Sequence, residues 1–153
     1  MMSKKDLIVL SYLRQNSRET LTKMSRKTSI PISTLFDRLK THEEGTIKRY
    51  TALLDFSQLG YHARAKIALK VKRDERDDIQ DFLMKHQNVN SLYKINNGFD
   101  FMVEGIFKHI KDAEDFTEKL EERYKIKSKQ VYYIIDDIKR EDFLSHPELI
   151  DVV

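Results

Sequence analysis

Apolar residues recur at helical spacing over the first fifty positions, and beyond residue 60 the chain alternates between helical and strand periods. Leu7, Val9, Leu10 and Leu13 make one helical face, with Asp6 placed favourably near the positive end of the helix. Asn16-Ser17-Arg18 ends this helix, and a short second one follows Thr20 with Leu21 and Met24 three residues apart. Thr28-Ser29-Ile30-Pro31 reads as a turn, and Pro31 suits the opening of a third helix, where its missing N–H costs nothing. That helix carries Leu35, Phe36 and Leu39 on its apolar side and stops at Gly45. Two short helices around a tight turn, behind a longer one, make the tri-helical helix-turn-helix plan. A generic three-helix bundle would not need so short a second pair, nor a third helix so rich in Ser, Thr and Arg.

From Ile47 to Leu54 the pattern turns extended, and Asp55 to Gly60 reads as a hinge. Ala63, Ala65, Ile67, Leu69 and Val71 then alternate with Arg64, Lys66, Lys70 and Lys72, which predicts a strand. Ile79, Phe82, Leu83 and His86 predict a helix. Val89 to Ile95 and Phe99 to Phe107 predict two strands around Asn96-Asn97-Gly98. Ala113, Phe116, Leu120 and Tyr124 predict a second helix, Val131 to Ile138 a last strand, and Phe143 to Val153 a loose tail. The order β-α-β-β-α-β is the ferredoxin-like unit, with both helices on one face of a four-stranded antiparallel sheet. The fold class is therefore α+β, with a helix-turn-helix domain over 1–50, a linker strand or hinge over 51–60 and a ferredoxin-like domain over 61–153. The second sheet face is expected to carry apolar residues and to need cover, which favours sheet-to-sheet dimerisation.

Charge sharpens this picture. The net charge of the chain is +3, yet residues 1–50 hold 11 Lys/Arg against 5 Asp/Glu, so all the positive excess lies in the first third. A basic head on a body that lacks the excess suits a polyanion such as nucleic acid; the plain alternative is a scatter of solvated cations. The absence of cysteine removes disulfides and thiolate metal sites, and fits a reducing cytosol. No apolar run reaches the roughly 20 residues of a membrane helix, and the polar start lacks a signal-peptide core, so a soluble cytoplasmic protein is expected. Enzymatic patterns are missing too. His42, His62, His86, His109 and His146 show no metal spacing, and the acidic run from Asp74 to Asp78 lacks the glycine and terminal Glu of a calcium loop. Four glycines make no phosphate loop, and no nucleophile elbow is present. No cofactor, metal or catalytic residue is expected.

The runs Asp6-x-x-Val9-Leu10-x-x-Leu13, Ile30 to Leu39, Gly45-Thr46-Ile47, Leu59-Gly60-Tyr61 and Gly98-Phe99-Asp100, in this order and spacing, resemble the Lrp/AsnC family of feast/famine regulators, and the resemblance covers Asp6 to about Lys139. Asp6-x-x-Val9-Leu10-x-x-Leu13-x-x-Asn16-x-Arg18 is similar to that family's opening helix, and Ile30 to Leu39 to its recognition helix. Gly45-Thr46-Ile47-x-x-Tyr50-Thr51-Ala52, Asp55 and Leu59-Gly60-Tyr61 resemble the exit from its DNA head. Gly98-Phe99-Asp100 resembles the turn in its sensing module. Against the family pattern, Ser29 stands in the turn between helices two and three, His42 replaces a leucine, and Asn97 stands where glycine is favoured. The resemblance implies a sequence-specific transcription regulator that binds double-stranded DNA, dimerises, assembles to a tetramer or octamer, and answers to a small amino acid.

With Leu35 and Leu39 inward, Ser33, Thr34, Asp37, Lys40 and Thr41 face outward and Arg38 flanks them. Hydroxyls and Asp37 could reach base edges, whereas Arg26, Lys27, Lys48 and Arg49 suit phosphates. For Arg38 the alternative is an internal salt bridge. The Asn96, Asn97, Gly98 and Asp100 turn clusters amides and a carboxylate suited to an amino acid's charged groups; as plain structure it is a hairpin whose Asp100 caps local N–H groups. A different class also shares this two-part scaffold, the siroheme decarboxylases, but residues 61–153 offer no basic and histidine-rich pocket for an acidic tetrapyrrole.

Overall fold

The structure, a computed structural model, describes residues 2–152; Met1 and Val153, the ends of the expected domains, lie outside it. The chain divides into two compact units: one runs up to Leu53 and includes the segment from Ile138 onward, the other spans Leu54–Asp137.

The first unit is built on α1 (Lys4–Gln15), α2 (Leu21–Thr28) and α3 (Ile32–Glu44). Ser3 caps α1 in a reciprocal box with Asp6, and the Thr20 hydroxyl accepts from the Lys23 N–H to cap α2, satisfying donors that a helix start leaves free. α2 ends at Ser29, which takes the left-handed conformation (φ 61°), and the Ser25 hydroxyl donates to the Ile30 carbonyl across the turn. Pro31 then precedes α3, and Val9, Leu13, Met24, Ile30 and Leu35 close a small buried core. Phe36, expected in that core, is instead 55 % exposed: one residue beyond Leu35, it is turned about 100° around the helix. The tail, read from sequence as part of the 61–153 domain, packs on α1. Arg14 Nε donates to the Phe143 carbonyl at 3.0 Å, and Nη2 to that of Glu141 at 3.1 Å. Ser145 and Ile150 are buried there.

The expected linker strand does not form: residues 47–55 have no regular structure, and Phe56–Leu59 make a single 3-10 turn capped by Asp55. The second unit follows the anticipated order, with β1 (Ala63–Val71), α4 (Arg76–Lys85), β2 (Val89–Lys94), β3 (Phe101–Phe107), α5 (Ile110–Arg123) and β4 (Ile126–Tyr133). The sheet is antiparallel, with strand order β2-β3-β1-β4. Ala63, Ala65, Ile67, Leu69 and Val71 of β1 bury against Ile79 and Leu83 of α4 and Ala113, Phe116 and Leu120 of α5. Gly105 leaves room for the Phe107 ring, which would stand 2.5 Å from an added Cβ.

One expectation about the sheet is corrected. β4 begins and ends five residues before the predicted Val131–Ile138, because its place is set by pairing with β1, from Val71 opposite Ile126 to Ala65 opposite Tyr133. Ile135 and Ile138, counted as strand residues, are almost fully exposed. The sheet face away from the helices carries the expected apolar residues, set among polar and charged ones. It presents Arg64, Lys66, Lys70, Glu104, Ser128 and Gln130 by register, with Ala68, Met102, Ile106, Tyr93 and Tyr132 interspersed. Arg64 is held there by Asp137, whose carboxylate it grips with both terminal nitrogens at 2.7 and 2.5 Å.

A left-handed conformation at a residue with a Cβ costs about 1 kcal/mol, and glycine removes that cost. Ser29→Gly is therefore expected to raise the stability of the helical unit by about 1 kcal/mol. Thermal and urea unfolding would read this, and an unchanged or lowered midpoint would contradict it.

Candidate nucleic-acid interface and hairpin-turn site

Asp6 sets the position of α3. Its carboxylate is nearly buried at the start of α1, and three side chains converge on it. The Ser3 hydroxyl donates at 2.6 Å, Arg38 Nη1 reaches both oxygens at 3.3 and 3.2 Å, and His42 Nε2 lies 3.0 Å away. The His42 ring is itself buried and bonds Thr46 through Nδ1 at 3.2 Å. The hydrogen bond from Ser3, with those from His42 and the charge of Arg38, holds the Asp6 carboxyl down to about 2 against the opposing effect of burial. Arg38 and His42 are four residues apart on one side of α3, so a single carboxylate on α1 fixes that helix both along its axis and about it. The internal salt bridge considered for Arg38 is thus present, although 44 % of its side chain remains exposed. His42 occupies its apolar-looking position as a satisfied polar group, which its spacing alone did not reveal.

The opposite side of α3 is open. Ser33, Asp37, Lys40 and Thr41 are exposed and Thr34 is half-buried; the Thr41 hydroxyl donates back to the Asp37 carbonyl at 3.0 Å. Ile32 and Phe36 share this surface at 47 % and 55 % exposure, and sequence patterning had assigned neither to it. Arg26, Lys48 and Arg49 are exposed too. Lys27 turns toward its own unit, with Nζ 3.6 Å from Glu19 and 5.5 Å from the centre of the Tyr12 ring.

In the sheet unit, Asn97 (φ 63°) and Gly98 (φ 87°) make consecutive left-handed residues at the tip of the β2–β3 hairpin, which Asn and Gly tolerate best. Asn96 is exposed beside them, and the Ile95 N–H donates to the Asp100 carbonyl at 3.1 Å. The Asp100 carboxylate points the other way. One oxygen accepts from the Val71 N–H at 2.8 Å and the other meets Arg76 Nη2 at 2.8 Å. It therefore ties the hairpin to the end of β1 and the start of α4, while the amides of Asn96 and Asn97 stay at the tip. The sequence-predicted cluster is adjacent in space, but its carboxylate is already engaged.

A helix-turn-helix unit with an exposed polar and basic face, joined to a βαββαβ unit, defines a DNA-binding regulator with an attached ligand-binding module. The family model of the Lrp/AsnC ligand binding domain matches residues 64–143, and the chain belongs to this family as a helix-turn-helix transcription regulator. It is similar to an HTH-type transcriptional regulator of Pyrococcus furiosus, 29% identical over 123 residues that cover 78% of this chain and 79% of the relative. It is 27% identical over 114 residues to the HTH-type transcriptional regulator FL11 of Pyrococcus horikoshii, covering 74% of this chain and 76% of FL11. Among solved structures, a transcriptional regulator of Neisseria meningitidis in complex with L-methionine shares the fold, with TM-score 0.84, 23% identity, and coverage of 92% of this chain and 94% of that one. The siroheme-decarboxylase alternative finds no support in these relatives. Among the described residues no helix is long and apolar enough to cross a membrane.

A carboxyl held below its unfolded value stabilises the fold above that value and ceases to do so as it is protonated in the native state. The advantage of the native chain over Asp6→Asn should be full above pH 3.8 and fade as pH falls through about 2. Urea unfolding monitored by circular dichroism across that range checks it; a pH-independent difference would remove Asp6 from the centre of the unit.

Proposed function

We propose that α3 enters the major groove of double-stranded DNA and reads base edges with Ser33, Thr34, Asp37 and Thr41, while Lys40, Arg26, Lys48 and Arg49 contact phosphates. The observation that carries this is the open polar side of α3 opposite the Asp6 clamp, in the part of the chain that holds all the positive excess. Arg38 orients the helix from the flank and adds its exposed guanidinium edge to the phosphate contacts; Lys27 contributes least, being drawn toward Glu19. A cytoplasmic location follows from this role and from the absence of cysteine.

The working unit is a homodimer formed through the open sheet face, able to assemble further to a tetramer or octamer. Met102, Ile106, Tyr93 and Tyr132 supply apolar and aromatic area there, and the charged residues between them supply register. A small amino acid is the effector, bound near Asn96, Asn97 and Gly98 between dimers. Family membership supports this, as does the L-methionine complex of the Neisseria meningitidis regulator. In this site Asp100 holds Arg76 and the hairpin in place, and the exposed tip amides meet the ligand.

Binding of the full chain to duplex DNA should weaken steeply with salt, with log affinity falling by roughly 0.9 per phosphate contact per log unit of salt. Lys40→Ala and Arg49→Ala should each lower the slope by about 1. Fluorescence anisotropy over a salt series measures both, and a salt-independent affinity would overturn the interface.

Sedimentation velocity of the full chain, alone and with each standard amino acid, tests the rest. A mass of two chains or more is expected, and one amino acid should shift the assembly between dimer and tetramer or octamer, or change the DNA affinity by a factor of about 5–150. A monomer at micromolar concentration rejects the sheet interface. Silence across the set, with an Asp100→Ala variant destabilised by about 1–3 kcal/mol through its unpaired Val71 N–H, leaves the turn a purely structural hairpin.

A further inference from the structure

The recognition helix carries two large apolar side chains in water. Ile32 and Phe36 are 47 % and 55 % exposed, lie one turn apart and continue the stripe that ends in Lys40. Ser33 and Asp37 make the next stripe, so Phe36 has exposed polar neighbours on its flank and a cation one turn further on. The core does not use the ring: Leu35, one residue earlier, is fully buried and fills that place. Keeping a phenyl ring in solvent on a helix that otherwise exposes Ser, Thr, Asp and Lys forfeits burial that a polar residue would not need. What covers it must therefore be apolar at that point and anionic one turn further on, to match Lys40.

We infer that Phe36, with Ile32 beside it, reads the 5-methyl group of thymine in the major groove, which makes this a regulator whose operator has a required thymine opposite the middle of α3. The major groove offers one apolar feature among its donors and acceptors, the thymine methyl, and aromatic or aliphatic side chains contact it. The phosphates alongside supply the negative charge that Lys40 needs. This inference rests on the placement of α3 proposed above.

The test uses the full chain and a duplex selected by it from a random pool. Each thymine of that duplex is replaced in turn by deoxyuridine, which pairs identically but lacks the methyl. Burying one methyl contributes about a fourfold change in affinity, so one or two positions per half-site should weaken about fourfold while the others stay unchanged. Phe36→Ala should bring the thymine-over-uracil ratio down from about fourfold toward one, whatever its effect on overall affinity, and Phe36→Leu should restore part of that ratio. Because Phe36 is exposed, both variants should keep the native unfolding midpoint. Equal binding of all uracil duplexes would overturn the thymine reading and leave the DNA interface standing. A preference undiminished in both Phe36→Ala and Ile32→Ser would assign the methyl to other residues. A change of sedimenting mass in Phe36→Ala with the preference intact would mean that a second copy covers the ring. Failure to select any duplex would overturn the placement of α3 and this inference together.

Discussion

A carboxylate that must stay charged while nearly buried needs partners in fixed places, and in this chain those partners define the geometry of the helix-turn-helix. Asp6 accepts from Ser3 on its own helix and draws Arg38 and His42 from α3. Burial would push its proton back on, and the hydrogen bonds and the guanidinium more than offset that. The apolar contacts of Val9, Met24 and Leu35 hold the helices together, but such contacts tolerate rotation of one helix against another. Directional bonds do not. The outward presentation of Ser33, Phe36, Asp37 and Lys40 follows from the inward hold on Arg38 and His42.

The sheet unit solves a comparable problem with Asp100. A hairpin tip built on Asn97 and Gly98 takes two left-handed residues in a row, a turn that by itself does not fix how the hairpin meets the rest of the unit. By accepting the Val71 N–H and meeting Arg76, Asp100 joins the tip to a central strand and a helix start. The arrangement leaves Asn96 and Asn97 exposed at the tip and ties the base of the turn to the sheet. On the open face, the paired Arg64 and Asp137 keep charge from being stranded among Met102, Ile106 and Tyr132.

The histidines illustrate how residue type underdetermines role. His42 is a hydrogen-bonded part of the helix clamp, and His86 stacks near Phe116 and Phe82, where burial lowers its proton affinity. His109 begins α5, and His146 sits 3.0 Å from Asp142 in the tail, whose carboxylate raises its proton affinity.

Local physics is what the sequence carried clearly. Helical and strand periods, the Ser29 turn and the Asn97-Gly98 tip depend on neighbours within a few residues, and the order of elements could be read from them. The basic first third and the polar side of α3 were legible for the same reason. Tertiary structure decided where a partner lies far along the chain. β4 took its register from β1 rather than from its own apolar residues, because a strand gains its hydrogen bonds only from the strand beside it. The tail joined α1 through Arg14 at a separation of 129 residues, and Asp100 was claimed by Val71, 29 residues away. Phe36 was counted as core until packing chose Leu35 and left the ring in water. Periodicity reports which residues share a face, but only the meeting of distant segments determines which face is covered and which carboxylate is already taken.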